Sequence, residues 1–596
     1  MMDVMNMHPS HNSQEKRNTA QNKLPNWLAI AIVVLVLASI LFRLLLTETA
    51  GFIMDELVDV NLAYQVGNGL KIYQDVLWER TPLMTYILSW VISDAESSLA
   101  AVLAARKVMW LASGILFFLV YMGGRRICGG LSALAAPLML LSFSTFLDRA
   151  IRVRADLIST LLATPALLLL MAPRLGPLSQ ACAGLCLGLA FITTQKAAYF
   201  VLAFALGLIC RVLFETRFGL VSLKRILGYG FVSALCFFVP VLVLGFFMSQ
   251  SGRLHVFLEQ CFFGATDMGL VNQTYSSTRL FVGQTVSRNP LFWGLGIAGM
   301  AILISEAIKE WRKQQPIANS ASAAGLALGT WTFAMLVAIS FHTVKFPYLF
   351  LNVSVCLALC AALPLARSLE AASGRPWDWT HWSLAIGAFF CLVFAPYTHH
   401  ARNMRSAHFH RVAAVMARVD LITTPQDHVL DGIGIATIRR KATPYSFTAR
   451  WYNDRQAGAD YPVLGYLKQK KPVVAIMNYR LDRLEPAERA FIDKYYIQDW
   501  ANIHVLGANA QHPGGEPGRH RIHILASHPY AVLARDRSKL RLDGKVPKGI
   551  EVLSAGEHEL VIEGEPQDVT IKYLPSVKIA PPRPVPAGNL FPGYDQ

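Results

Sequence analysis

Apolar residues in this chain come in blocks of about twenty, and that block length decides what the chain can fold into. About 20 consecutive apolar residues, wound as a helix, cover the hydrocarbon thickness of a bilayer. Blocks of this kind are read near 26–46, 99–121, 131–147, 156–172, 180–195, 197–213, 226–248, 290–308, 321–341, 347–366 and 380–397. Only 16% of the residues are charged, against about 25% in soluble domains. The expected fold is therefore an α-helical polytopic membrane protein with about eleven transmembrane helices. The formal net charge of +16 does not argue for nucleic acid. Its Lys and Arg residues are scattered between the apolar blocks, where they orient helices.

Their distribution gives a topology. With the N-terminus inside, the even-numbered gaps hold Arg125 and Arg126; Arg174; Arg211, Arg217, Lys224 and Arg225; Lys309, Arg312 and Lys313; and Arg367 and Arg375. Every inner gap is basic, as the positive-inside rule requires. Residues 1–25 read as a polar cytoplasmic tail and 26–399 as the membrane domain. The first span lacks a small-residue cleavage site and is expected to stay as an anchor. The apolar stretch 82–92 is too short to span and reads as an interfacial helix in the first external loop.

After the last block, 400–526 mixes helical and strand patterns and reads as an exported α/β domain. A buried strand is expected at 471–477 and a helix at 485–495. Residues 527–580 read as a small β module, with strands at 539–542, 551–553, 559–562 and 569–573. The segment 581–596 is a Pro-rich tail. Nine cysteines occur and none follows Cys391. Cys182/Cys186 and Cys356/Cys360 lie four apart inside apolar spans and read as small buried residues rather than ligands.

The chemistry is expected on the external side. The first external loop carries Asp55, Glu56, Asp59, Asp75, Glu79 and Arg80 within Met54–Pro82. Carboxylates at the end of a membrane helix are costly unless they face water, a cation or a substrate. Taken alone, Asp55 and Glu56 read as a hydrated helix cap before they read as a source of general-base chemistry. The second external loop, 148–156, holds Asp148, Arg149, Arg152, Arg154 and Asp156. Asp148 and Arg152 are spaced for a structural ion pair on a helix. Yet external arginines run against the orientation bias, and arginine suits bidentate phosphate recognition. Lys196 and Lys345 are further external cations in very short turns. Cations and carboxylates on one face at the membrane surface fit an amphiphile with an anionic head group.

In this arrangement the chain resembles the GT-C superfamily of integral-membrane glycosyltransferases. It looks most like bacterial relatives of the protein O-mannosyltransferases and the lipid A aminoarabinose transferases. Asp55-Glu56 matches the acidic start of that family's first external loop. Arg80-Thr-Pro-Leu83 resembles the basic-Pro-Pro-Leu end of the loop, with Thr in place of the first Pro. Arg152-Val-Arg154-Ala-Asp156, the run Gly188–Lys196 and Lys345-Phe-Pro-Tyr348 follow in the family's order, over residues 26–400. The resemblance implies transfer of one sugar from a polyprenyl-phosphate donor to a lipid, glycan or protein acceptor. It implies a multi-pass protein of the bacterial inner membrane, with the C-terminal domain in the periplasm. It implies Asp55 as base, with Asp156 orienting the acceptor or supporting the base. Arg80, Arg154, Lys196 and Lys345 are then expected to neutralise the departing phosphate. Glu56, Arg152 and Tyr348 are expected to help bind the donor. No metal ligand is assigned, although the Asp55-Glu56 pair could hold a divalent cation, Mg or Mn. A transporter or flippase of lipid-linked sugars is the competing reading. The charges lie at helix ends rather than at mid-membrane, and no internal repeat is seen.

Overall fold

The structure, a computed structural model, describes residues 26–217, 220–263, 278–313, 321–342, 345–373, 394, 397–398, 407–456, 458–582 and 590–591. Its first part is helical. α1 (Asn26–Thr49) is followed by two short helices, α2 (Met54–Gly67) and α3 (Leu83–Ile92). Then come α4 (Ser98–Ile127), α5 (Ala135–Ser142), α6 (Ala155–Leu170), α7 (Pro177–Phe191), α8 (Ala198–Thr216), α9 (Leu220–Gln250), α10 (Pro290–Arg312), α11 (Ala321–Ser340) and α12 (Leu351–Ser373). Among the described residues, seven helices are long and apolar enough to cross a membrane, and α6 and α7 are shorter apolar helices. The block at 131–147 is broken. A 3-10 turn at Leu131–Leu134, α5 and a short helix at Ser144–Arg149 replace one straight span. Most of the block at 380–397 lies outside the described residues.

Exposure follows the membrane reading. α9 keeps Leu227, Phe231, Leu235, Leu242 and Phe246 at its surface, while α12 is buried on nearly all sides. An apolar helix surface left open by the fold is what lipid would cover. α7 meets α9 through Gly184 and Gly188. A Cβ at Gly188 would come within 2.3 Å of the Phe237 carbonyl oxygen. The four-residue spacing of the two glycines lets the backbones touch.

α13 (Ala407–Ile422) leads into the sheet region. Its strands are β1 (His428–Leu430), β2 (Arg440–Lys441), β3 (Val474–Ile476), β4 (Tyr496–Trp500), β5 (Ile503–His512), β6 (Gly515–Ile524), β7 (His528–Leu533), β8 (Leu540–Leu542), β9 (Ile550–Leu553), β10 (Gly556–Gly564) and β11 (Gln567–Tyr573). One sheet runs β2-β1-β3-β5-β11-β7-β9, with β4 also on β5, and a second runs β6-β10-β8. β1 is parallel to β2 and to β3, and the remaining pairs are antiparallel. β3 is wholly buried, as its Val-Ala-Ile sequence requires. The expected helix at 485–495 is present as α14 (Pro486–Tyr495). The strands on the two sides of residue 526 share one sheet, because β11 pairs with β5 from Gln567 opposite His512 to Lys572 opposite Gly507.

The sheet region clamps the start of the membrane domain. The Asn61 amide on α2 donates to the carbonyls of Ala436, Thr437 and Arg439, at 2.8 Å to Thr437. Gly434, at φ +84°, lies so close to α2 that a Cβ would meet the Leu57 carbonyl oxygen at 2.7 Å. Asp420 accepts from the Ser98 backbone NH and hydroxyl, at 2.6 and 2.8 Å, and so caps the first turn of α4.

Candidate active site

α2 carries acidic residues at two angles. Neighbouring residues on a helix point about 100° apart, so Asp55 and Glu56 face different partners. Asp55 meets the Arg154 guanidinium at 2.5 Å. Glu56 is sealed on the other side, where Arg106 donates to both its carboxylate oxygens at 2.7 Å. Neither Arg106 nor Glu56 retains any side-chain exposure. The Val153 backbone NH also donates to Glu56, at 3.2 Å. Glu56, expected at the donor, here joins α2, α4 and the loop at 148–156.

One turn beyond Asp55, on the same face, stands Asp59, which took no role in the sequence reading. Arg80 donates to both Asp59 oxygens at 3.0 Å. The loop before Arg80 is firmly held. The Tyr73 hydroxyl donates to the Arg80 carbonyl at 2.5 Å. Gln195 donates to the Glu79 carbonyl at 2.7 Å. The Trp78 ring lies 5.3 Å from the Arg80 guanidinium. The i, i+4 spacing of Asp55 and Asp59 was the available signal, since such residues share a helix face.

Arg154 bonds Asp156 at 3.3 Å, and Lys196 bonds the other Asp156 oxygen at 3.1 Å. The Tyr348 ring lies under both cations, 3.4 Å from Arg154 and 4.5 Å from Lys196. Asp55, Asp59, Arg80, Arg154, Asp156, Lys196 and Tyr348 thus meet although they come from four separate segments. Arg152 and Lys345 stand apart from this network. Arg152 pairs with Asp148 at 3.5 Å, the structural pairing that their spacing allowed. Lys345 donates to the His342 carbonyl at 3.0 Å. His342 in turn bonds the Tyr199 hydroxyl at 2.7 Å.

Exposure sorts the cluster into two sets. The side chains of Asp55, Arg80 and Lys196 retain 28%, 24% and 26% of their surface. Those of Asp59, Asp156 and Arg154 retain 1%, 4% and 3%. Each reachable group is therefore held by a closed partner of opposite charge: Asp55 by Arg154, Arg80 by Asp59, and Lys196 by Asp156. Groups fixed in this way are ready to meet a charged ligand without first reorganising.

The electrostatics follow from this pairing. Burial works to raise the Asp55 carboxyl, but Arg154, Arg80 and Lys196 outweigh it and hold it well below the usual carboxylate range. Burial pushes Asp59 up to about 6, against the pull of Arg80. Burial acts to lower Arg80 and Arg154, yet their carboxylates carry both above the ordinary guanidinium value. Burial, with Lys196 nearby, lowers His342 to about 4. Among the described residues, no three His, Cys, Asp or Glu side chains gather as a metal would need. The oxygens of the clustered aspartates are instead engaged by Arg and Lys.

A helical membrane domain with charged loop residues at one end and a C-terminal sheet region is a fold that this chain shares with proteins of solved structure. Two solved structures of ArnT from Cupriavidus metallidurans are similar to it. The apo form aligns with TM-score 0.55 at 13% identity, over 80% of this chain and 98% of ArnT. The form bound to undecaprenyl phosphate aligns with TM-score 0.52 at 14% identity, over 81% and 98%. No family model matches the chain, and no curated protein matches it by sequence.

Proposed function

We propose that this protein is a glycosyltransferase that moves a single sugar from a polyprenyl-phosphate donor to an acceptor on the external, periplasmic face of a bacterial inner membrane. The observation that carries the reading is the set of partly exposed Asp55, Arg80 and Lys196 side chains, each held by a buried counter-charge. Similarity in fold to a protein solved with undecaprenyl phosphate supports the choice of donor.

In this reading the donor phosphate lies against Arg80 and Lys196, with Arg154 behind them. The acceptor hydroxyl donates to Asp55. As the acceptor oxygen bonds the anomeric carbon, the bond from that carbon to the phosphate oxygen breaks. The electron pair leaves with the polyprenyl phosphate, and the acceptor proton passes to Asp55. Charge grows on the departing oxygen, and fixed cations there lower the barrier. The free site balances three cations against three aspartates. An incoming phosphate shares those cations and so relaxes their hold on Asp55, raising its proton affinity toward what a base requires. The positive charge that Mg or Mn would bring is already supplied by Arg80, Arg154 and Lys196.

The test is transfer of radiolabel from a polyprenyl-phosphate sugar into an envelope acceptor by the purified protein in vesicles. Label in the acceptor, dependent on Asp55, is expected. Movement of the intact sugar lipid across the vesicle membrane with no transfer would replace this reading with the flippase.

A further inference from the structure

β1 and β3 are parallel and adjacent, and they end together. Ligands of parallel sheets bind in the crevice beyond the carboxyl ends of the strands. Here that edge faces α2. After β1, the Asp431 carboxylate accepts backbone NH groups from Ile433, Gly434 and Ala436 at 2.8–3.1 Å. This turn places Gly434 against α2. After β3, the Asn478 amide donates to the Asp431 carbonyl at 2.6 Å and its oxygen accepts from the Arg480 NH at 3.0 Å. The backbone of Tyr479 and Arg480 is fixed by this bridge.

The Tyr479 side chain reaches the start of α2, and Arg480 packs on it. The Tyr479 hydroxyl donates to the Met54 sulfur at 3.1 Å, one residue before Asp55. Tyr479 lies within the field of Asp55. The Arg480 guanidinium stacks 4.8 Å from the Tyr479 ring. Arg480 is 6% exposed, its Nε has no hydrogen-bond partner, and no carboxylate pairs with it among the described residues. The cations beside Asp55 in the membrane domain are all compensated. A buried guanidinium without a counter-ion is costly and calls for an anion from outside.

We propose that Tyr479 and Arg480 form an oxyanion subsite of the C-terminal region, which receives a phosphate or carboxylate carried by the acceptor and so presents the neighbouring hydroxyl to Asp55. The inference rests on the transferase reading for its ligand. The subsite comes from a different part of the chain than Arg80 and Lys196, so the donor and acceptor anions are held by separate elements.

Binding to the full-length purified protein tests it, read as thermal stabilisation. The probes are glucose 1-phosphate, glucuronate, glucose and undecaprenyl phosphate. Stabilisation by glucose 1-phosphate or glucuronate, and none by glucose, is expected; which of the two binds identifies the anion. Arg480→Gln should weaken the sugar anion at least tenfold and change undecaprenyl phosphate affinity less than twofold. Arg480→Lys should lie between, and Tyr479→Phe should weaken the sugar anion a few-fold; both serve if Arg480→Gln does not fold. Two results overturn the subsite: a wild-type protein indifferent to both sugar anions, or an Arg480 substitution that weakens undecaprenyl phosphate equally. Arg480-dependent sugar-anion binding without any undecaprenyl phosphate binding would keep the subsite and sink the donor reading instead.

Discussion

Asp55 and Glu56 are neighbours on one helix, yet they belong to two kinds of site. Glu56 and Arg106 form a closed pair, with every surface of both side chains covered. Asp55 and Arg154 form a half-open pair, in which the arginine is covered and the aspartate is not. A closed pair cannot exchange its partner for a ligand and serves the fold. A half-open pair can lend its charge to whatever enters. Arg80 is likewise covered behind by Asp59 and open in front.

The comparison breaks most sharply if Asp55→Asn leaves transfer intact. The expected outcome is a folded, inserted protein with transfer reduced by about 10²–10⁴-fold, the usual contribution of a general base. Initial rates with saturating donor measure it. Next, Lys196→Ala or Arg80→Ala should lower donor turnover by about 10²–10³-fold, as loss of a preorganised charge-stabilising group does. The loss should be the same for different acceptors.

Glu56→Gln tests the closed side. It leaves Arg106 buried without its full counter-charge, a change of the kind that costs about 3–5 kcal/mol. A lower thermal midpoint and lower yield are expected. Activity per folded molecule should stay within a few-fold of wild type, and a selective loss of turnover would place Glu56 in the chemistry.

Asp59→Asn sharpens the picture through pH. Asp59 titrates near 6 in the folded protein, against about 3.9 unfolded. It binds its proton more tightly when folded, so its contribution to stability falls as pH rises from about 4 to 6. Below about 6 it is protonated and Arg80 loses its anchoring charge. Donor KM should therefore climb as pH drops through this range, and in Asp59→Asn that step should vanish. The smallest effect is expected from EDTA, since side-chain cations supply the positive charge; a large chelator-sensitive loss would assign the charge to a metal.

Much of this is legible in the sequence. The long helices follow from block length, and the short α3 from a block too short to span. Asp55, Arg80, Arg154, Asp156 and Lys196 stood out because their loops carry charge where the orientation reading expects little, and Tyr348 through the family resemblance. For Glu56 the helical phase could be read but the partner could not: Arg106 lies 50 residues away inside a long apolar helix. Tyr479 and Arg480 sat in an ordinary loop, and nothing local links them to a helix more than 400 residues earlier. The pairing of β5 with β11 escaped for the same reason. Strand pattern gives a face, while the partner is set by distant chain.

The Asn61 contact also bears on how the protein is made. Its three acceptor carbonyls lie some 376 residues downstream. At a synthesis rate of about 5–20 residues per second, α2 waits roughly 20–75 s before those carbonyls exist. During that interval the amide and the carboxylates near it stand at the membrane surface without their cover. The nascent chain thus passes through a stage in which α2 is finished while the segment that receives Asn61 is still unmade.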